Sequence, residues 1–437
     1  MAVVLARSAG AAGPLDQWTA ISPLPSGSPL NGLVCANGQF VVAGDAGTIL
    51  TSPDALAWFQ QNPNLTNHNA GGNNRLSAVA YGNGQFVVVG AAYDSFGGFR
   101  SPLLLTSADG TNWMQHSVKA GVPLTDVAYG NGAFVTVGGG LQPGTNTYVG
   151  VILTSPDGVT WSRAFSTLAT SAASYPTQLI YGDNQFVAVG YGGTVLTSPD
   201  GNAWTAQTSG TTDQLNAIAY GDHQFVALWT DWPPGGTLDS GILASSNGVT
   251  WVVRDLDTTN RLTGITFANN QFVAVGFAFA PNGFLDAILT SPDAITWKPQ
   301  SLGTHAEPQG VAYGDARFVA VGGQGSVLVS GEVTTLNLAL LPGGAIQGLI
   351  AGSSGQTNIV EVSTNLVDWT TLTNLVTTNG TASFTDVAAP GAQQRFYRAK
   401  TPPDPLSPKE SIRIRCRLRN LLPSNKICRN HGSFGAL

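Results

Sequence analysis

Three features of the 437-residue sequence predict an all-β fold made of repeated units, each of four short strands. The first is the octet Thr154-Ser155-Pro156-Asp157-Gly158-Val159-Thr160-Trp161, which returns with small changes at Thr51 to Trp58, Thr106 to Trp113, Thr197 to Trp204, Ala244 to Trp251 and Thr290 to Trp297. The second is the phrase Ala80-Tyr81-Gly82-Asn83-Gly84-Gln85-Phe86-Val87-Val88-Val89-Gly90. Its counterparts place phenylalanines at Phe40, Phe86, Phe134, Phe186, Phe225, Phe272 and Phe318, 39 to 52 residues apart, a period that suits a four-stranded propeller blade. The third is composition: 54 glycines and only 10% charged residues fit many strands joined by turns.

Each element of a unit has a local reason. Strand 1 covers Leu76 to Tyr81, a Gly/Asn turn follows, and strand 2 covers Phe86 to Val89. After a variable connection, strand 3 is Leu103 to Thr106; the Ser-x-Asp turn then leads into strand 4 from Trp113. In that turn the serine and aspartate oxygens can accept the free backbone N–H groups. Gly110, Gly158, Gly201 and Gly248 can take positive φ without cost, and Ala55 and Ala294 in the same place imply that this demand is not absolute. The tryptophan can lay its ring against the neighbouring unit, worth about 3 to 5 kcal/mol against alanine in a core. The expected role of Asp54, Asp109, Asp157, Asp200, Asn247 and Asp293 is therefore structural, because repetition spreads them around the molecule instead of converging them on a metal or substrate.

The two ends of the array complement each other. The seventh unit has strands 1 to 3 but runs into Gly331-Glu332-Val333 with no tryptophan, whereas Trp18-Thr19-Ala20 is an orphan strand 4. Pairing them predicts a seven-bladed β-propeller closed by the N-terminal strand, with no open edge.

The pattern Ser-x-Asp-x-Gly-x-x-Trp resembles the Asp-box, or bacterial neuraminidase repeat, of sialidases, sortilin-type receptors, xyloglucan-cleaving hydrolases and the photosystem II assembly-factor family. The resemblance covers about 16–333 and implies the propeller; in those families the motif marks the fold and not the chemistry.

Residues 334–400 read as a separate small β-sandwich-like module with strands at Leu336 to Leu341, Ile346 to Ile350, Ile359 to Val362, Trp369 to Leu372, Ala382 to Phe384 and Phe396 to Ala399. The phrases Glu361 to Leu366 and Arg395-Phe396-Tyr397-Arg398-Ala399 are similar to a C-terminal module of secreted Verrucomicrobia-type proteins. Residues 1–15 are expected to be a disordered leader to the array. Beyond Pro402-Pro403, 401–437 read as a basic, disordered tail; 400–437 carry 8 Lys and Arg against 2 acids, while 1–399 carry 11 against 23. That acidic body argues against a nucleic-acid partner. No apolar run reaches a membrane span, and the N-terminus lacks the basic start of a signal peptide. Cys35, Cys416 and Cys428 offer neither a disulfide framework nor metal spacing.

No phosphate loop, zinc motif or nucleophile elbow occurs, so no catalytic residue, metal or cofactor is assigned. Phe99-Arg100-Ser101-Pro102 is similar to the Phe-Arg-Ile-Pro phrase of sialidases, which implies a glycoside-hydrolase alternative. That chemistry requires three convergent arginines with a tyrosine nucleophile and acids. The connection between strands 2 and 3 is minimal in units one, four and seven but long in units two, three, five and six, and all of these connections share one face. The long ones carry the expected ligand-binding residues Tyr93, Phe96, Phe99, Arg100, Tyr148, Trp229, Asp231, Trp232, Phe279 and Phe284. The sequence thus predicts a monomeric, non-enzymatic scaffold, extracellular or in the cell envelope, that recognises protein or glycan through that face.

Overall fold

The computed structural model describes residues 2–5, 14–65, 73–166, 174–231, 238–258, 260–280, 283–300, 304–331, 335–351, 357–364, 368–378, 381–387, 395–400 and 414–417. The chain separates into two units. One spans Trp18–Gly314 with Phe318–Val329; the other joins Ser330–Leu437 to Met1–Gln17 and Asp315–Arg317.

In the first unit the repeat of sequence is a repeat of sheet. The second copy, for example, forms antiparallel strands Asn73–Gly82, Gln85–Tyr93, Phe99–Ser107 and Met114–Gln115, in that spatial order. Seven four-stranded sheets of this kind occur among the described residues. Their first strands are Leu30–Ala36, Asn73–Gly82, Leu124–Gly130, Pro176–Gly182, Gln214–Gly221, Asn260–Ala268 and Pro308–Gly314; each lies against the next and the last against the first. The fold is a β-propeller. In the seventh sheet the outer strand is Trp18–Ala20, paired to Ser326–Ser330, and the Ile21 N–H donates to the Val327 carbonyl at 2.9 Å.

The repeated phrases supply the packing. Phe40, Phe86, Phe134, Phe186, Phe225, Phe272 and Phe318 are fully buried. The aromatic residue that ends strand 1 packs on its own sheet's phenylalanine, as in Tyr81–Phe86 and Tyr129–Phe134, both at 4.7 Å. It also covers the glycine of the preceding sheet: a Cβ on Gly82 would stand 2.0 Å from the Tyr129 ring, and Gly130 and Gly182 are covered likewise by Tyr181 and Tyr220. The Tyr-Gly pair is therefore one interlocking contact, with the glycine leaving the space that the next ring fills.

Hydrogen bonds join neighbouring sheets at both ends of the inner strands. Near the start of strand 1 the pairing slips by one residue, as between Leu76 and Ala78, and the bulged residue reaches across. Asn31 Nδ2 donates to the Leu76 carbonyl at 2.9 Å, Thr125 Oγ1 to Thr177 at 2.8 Å and Thr263 Oγ1 to Pro308 at 2.8 Å. At the opposite end the glutamine before four of the phenylalanines reaches the next sheet's Ser-x-Asp turn. Gln39 Nε2 donates to the Asp109 carbonyl at 2.8 Å, Gln185 to Asn247 at 2.9 Å and Gln224 to Asp293 at 3.2 Å, and Gln85 makes the same bond to Asp157.

The long connections between strands 2 and 3 differ from the sequence expectation of loops. They are mainly strand extensions: strand 2 runs on to Tyr93, Leu141, Asp231 and Ala280, and strand 3 starts at Phe99, Tyr148, Asp239 and Gly283. Backbone groups that would be orphaned in a loop are paired across a hairpin instead. The minimal connections are single turns at Asp45–Gly47, Tyr191–Gly193 and Gly323–Gly325, with positive φ at Ala46, Gly192 and Gln324.

The second unit holds two three-stranded sheets. One orders Thr335–Leu340, Ile346–Ala351 and Thr381–Asp386; the other orders Thr370–Val376, Thr357–Ser363 and Phe396–Lys400. Leu336, Leu338, Ile346, Ile350, Val360, Phe384 and Tyr397 form its core. A buried polar knot completes it. The Tyr397 hydroxyl donates to Asp386 at 2.8 Å and Arg395 pairs with the same carboxylate at 2.5 Å; burial is the first cause that pushes the tyrosine well above its ordinary range. Ala2–Leu5 pairs with Ile414–Arg417, and the remainder of 1–13 and 401–437 lies outside the described residues.

Candidate functional site

The Ser-x-Asp turns and the long hairpins occupy opposite faces of the propeller. In every turn one side-chain oxygen accepts two successive N–H groups: Asp54 from Leu56 and Ala57, Asp109 from Thr111 and Asn112, Asp157 from Val159 and Thr160, Asp200 from Asn202 and Ala203, Asn247 from Val249 and Thr250, and Asp293 from Ile295 and Thr296, all at 2.7 to 3.1 Å. The neutral amide of Asn247 does what the carboxylates do, so the geometry needs an acceptor and not a charge. The Thr160 and Val159 N–H groups hold the Asp157 carboxyl down at about 2, and the Asn112 N–H leads the same effect at Asp109. Five of the six tryptophan rings close their turns by donating Nε1 to the carbonyl three residues earlier, as Trp113 to Gly110 and Trp161 to Gly158 at 2.9 Å. Trp297 is the variant case: the Ala294 carbonyl accepts from Arg254 Nη1 at 3.0 Å, and the indole N–H has no hydrogen-bond partner among the described residues. Ala55 and Ala294 adopt φ of 64° and 55°, like the glycines. This corrects the sequence reading that the φ demand is relaxed there; it is met at a cost of about 1 kcal/mol or more for a residue with a Cβ.

On the hairpin face, Tyr93 and Phe99 pair across the second hairpin with rings 6.4 Å apart. The hairpin tip is shaped by Asp94, which accepts from the Phe96 and Gly98 N–H groups at 3.0 and 2.7 Å; the Gly98 bond is the largest cause holding its carboxyl below the ordinary range. Phe96 at that tip is 96% exposed. Arg100 pairs with Asp94 at 3.0 Å. Arg75 faces Asp45 at 3.7 Å, Arg163 donates to the Ala120 carbonyl at 3.0 Å, and Arg254 serves the turn face. Arg75 and Arg100 belong to the second sheet, Arg163 to the third and Arg254 to the fifth, each engaged with a different partner, so a three-arginine carboxylate clamp is not assembled from them.

The remaining predicted residues divide. Phe279 and Phe284 meet Phe277 in a triad with centroids 4.9 to 5.8 Å apart, Phe279 being 47% exposed. Asp231 is an exposed strand end opposite Asp239. Trp229 requires correction: it is buried at 6% exposure in strand 2 of the fifth sheet, opposite Gly241, whose missing side chain makes room for the indole. Trp232 lies outside the described residues.

Tyr148 stacks on Tyr175 at 6.0 Å with an interplanar angle of 15°, and Tyr175 meets Tyr191 at 4.9 Å. Tyr175 and Tyr191 were not singled out from the sequence. Tyr175 precedes strand 1 of the fourth sheet, and its ring covers Gly139 of the third, where a Cβ would stand 2.3 Å away. Burial, and then the phenols of Tyr191, Tyr148 and Tyr93, raise its hydroxyl well above the ordinary range. Asp126, beside the bulge of the third inner strand, accepts from the Val127 and Leu179 N–H groups at 2.8 and 2.7 Å; burial outweighs these bonds and pushes its carboxyl up to about 7. Among the described residues no group of three or more acidic, histidine or cysteine side chains is placed to hold a metal.

No family model and no curated protein matches the chain. Solved structures do. The fold is similar to that of YCF48 bound to D1 peptide, at 17% identity and a TM-score of 0.51 over 76% of this chain and 98% of that one. It is also similar to a catalytically inactive virginiamycin B lyase from Staphylococcus aureus with quinupristin, at 10% identity and a TM-score of 0.55 over 72% and 99%. Both likenesses are to propellers and establish the fold alone.

Proposed function

We propose that this protein is a non-enzymatic binding scaffold: a seven-bladed propeller of the Asp-box type, closed by its N-terminal strand, that engages a protein or glycan through the hairpin face. It acts as a monomer outside the cell or in the cell envelope. The observation that carries this reading is the asymmetry of the two faces. The turn face consumes its polar groups in bonds that repeat from sheet to sheet, while the hairpin face presents aromatic and charged side chains that differ from sheet to sheet. Binding residues are ordinarily placed in this way, on variable connections held by a rigid scaffold. A propeller that holds a peptide, as the solved YCF48 complex does, is a precedent for the mode.

The test is a peptide and glycan array probed with the whole protein and with two variants, Tyr148→Ala together with Phe279→Ala on the hairpin face, and Asp157→Ala on the turn face. Array ligands lost with the first variant and kept with the second are expected. The reverse pattern refutes the assignment of faces, and turnover of arrayed sialosides by the wild-type protein refutes the non-enzymatic reading.

A further inference from the structure

We propose that the cleft between the Tyr191–Gly193 turn of the fourth sheet and the stretch 207–212, which leads on to the fifth, is a site for a neutral sugar unit of a glycan. The inference rests on the hairpin-face reading above, because turn and stretch both lie on that face, and it adds a place and a ligand class. The cleft has a volume of about 580 Å³, within the range of about 300 to 1,000 Å³ usual for small-ligand sites.

The local sequence keeps this space open. The corresponding turn of the first sheet shows the alternative: a Cβ on Gly47 would stand 2.7 Å from Leu65 Cδ1, so a buried leucine fills that place. In the fourth sheet a Cβ on Gly193 would instead meet the Thr211 carbonyl oxygen at 1.9 Å. Turn and stretch therefore meet backbone to backbone, and φ of 64° at Gly193 and 84° at Gly210 suits glycine at both points. The walls are also tied to each other. The Gly193 N–H donates to the Asp213 carbonyl at 2.9 Å, Ser209 Oγ to the Thr211 carbonyl at 2.9 Å and the Asp213 N–H to Thr211 Oγ1 at 3.1 Å, while the Thr211 hydroxyl donates to the Asp213 carboxylate. A cleft fixed before its ligand arrives spends little on ordering itself.

The lining decides the ligand class. It consists of glycine, serine and threonine with one glutamine, and no charged, aliphatic or aromatic residue belongs to it. Thr208 and Thr212 are exposed, and their hydroxyls form no hydrogen bond among the described residues. Gln207 donates Nε2 to Thr197 Oγ1 at 2.9 Å, which leaves its Oε1 as an acceptor. A hydroxyl offers one donor and two acceptor sites, and every hydroxyl of a sugar offers the same, so neutral groups of both kinds gathered in one cleft match a polyol. Other ligands fit less well. An anion would meet no cation here and would approach the Asp213 carboxylate that Thr211 holds; a peptide would find neither an apolar pocket for a side chain nor a charge for a terminus.

Saturation-transfer NMR on the whole protein tests this, with the methyl glycosides of glucose, galactose and mannose and the three free sugars as probes, and with N-acetylneuraminic acid and trialanine as anionic and peptide controls. At least one methyl glycoside is expected to receive saturation, and the controls are not. Thr208→Val together with Thr212→Val keeps the shape of the cleft and removes both unengaged hydroxyls; it should weaken binding about tenfold at an unchanged melting temperature. Thr212→Trp, which fills the space with a ring, should abolish binding and serves if the valine pair does not fold. No saturation of any methyl glycoside, or equal binding by the wild-type protein and both variants, overturns the proposal. Saturation of the free sugars alone overturns the glycan assignment, and saturation of trialanine or N-acetylneuraminic acid that the same variants abolish overturns it in favour of a peptide or an anion. Each of these results leaves the hairpin-face reading standing. That reading fails separately, through the array, if ligands are lost only with Asp157→Ala.

Discussion

On the turn face the Asp157 side chain accepts from two N–H groups while the carbonyl of the same residue accepts from Gln85 of the preceding sheet; on the hairpin face Phe96 stands 96% exposed at a tip that only its own hairpin organises. The first arrangement is local and inter-sheet at once. Four of the six turns, those of Asp109, Asp157, Asn247 and Asp293, are both an end to their own hairpin and the acceptor for a neighbour's glutamine, so there the recurring phrases in the sequence are the two halves of one bond. The second arrangement is private to its hairpin: Asp94 is satisfied by Phe96, Gly98 and Arg100 of the same tip. The difference teaches where selection for the fold leaves room for binding, and it can be tested by asking whether stability and ligand affinity respond to substitutions on opposite faces.

The largest effect is expected where a turn is packed into the core. Trp113 is 7% exposed and donates to Gly110, so Trp113→Ala removes a buried ring and strands a carbonyl. Chemical denaturation should show a loss of about 3 to 5 kcal/mol. A loss below about 1 kcal/mol would mean the tryptophans do not lock the sheets.

Next comes the pH dependence, because the two classes of aspartate titrate in opposite senses. Asp157, held at about 2, contributes stability that is present above the ordinary carboxylate value near 4 and lost as pH falls through about 2. Asp126, raised to about 7, favours its proton in the folded state. Its contribution is complete below about 4 and is lost as pH rises through about 7, a fall on the order of 2 to 4 kcal/mol. Between pH 5 and 8 the turn carboxylates are flat and Asp126 is not. The stability difference between the wild-type protein and Asp126→Asn should therefore slope across that window, with the variant gaining as pH rises; a constant difference would show that the carboxylate stays ionised.

The turn bonds themselves rank third. Asp157→Ala should cost roughly 1 to 2 kcal/mol and Gln39→Ala roughly 1 kcal/mol, by the ordinary worth of such hydrogen bonds. Both should leave the binding of any hairpin-face ligand unchanged. Equal stability of Gln39→Ala and the wild-type protein in a thermal melt would show that the inter-sheet bond adds nothing beyond the packing.

What was legible in the sequence follows the same division. The phenylalanine of strand 2 and the Ser-x-Asp turn could be read because each acts within a few residues of itself and recurs. The Gln39 bond could not, since its acceptor lies 70 residues away and a glutamine in a polar turn gives no local sign of its partner. Trp229 was misplaced because an amphipathic residue near a long connection reads as exposed; the room made by Gly241 across the strand decides otherwise. Tyr175 was overlooked because it belongs to no repeat, and its burial depends on Gly139 in another sheet. Strand extension was hidden by hairpin tips rich in turn residues, such as 94–98, although Tyr93 pairs with Phe99 across that tip.

The smallest expected effect is the sharpest test of the comparison. Phe96→Ala removes a large apolar side chain, which in a core would cost several kcal/mol, but at 96% exposure the ring gains little by folding. The tip is held by Asp94 through the Phe96 and Gly98 N–H groups, and those bonds use backbone that alanine retains. The melting temperature should therefore stay within the change that about 0.5 kcal/mol produces. A ring kept in water at the end of a hairpin has no role in stability to explain it, so the same variant is expected to weaken array ligands of the hairpin face while Gln39→Ala does not. Loss of more than about 1 kcal/mol in Phe96→Ala would mean that the tip folds down onto its sheet, and the hairpin face would then share the structural character of the turn face.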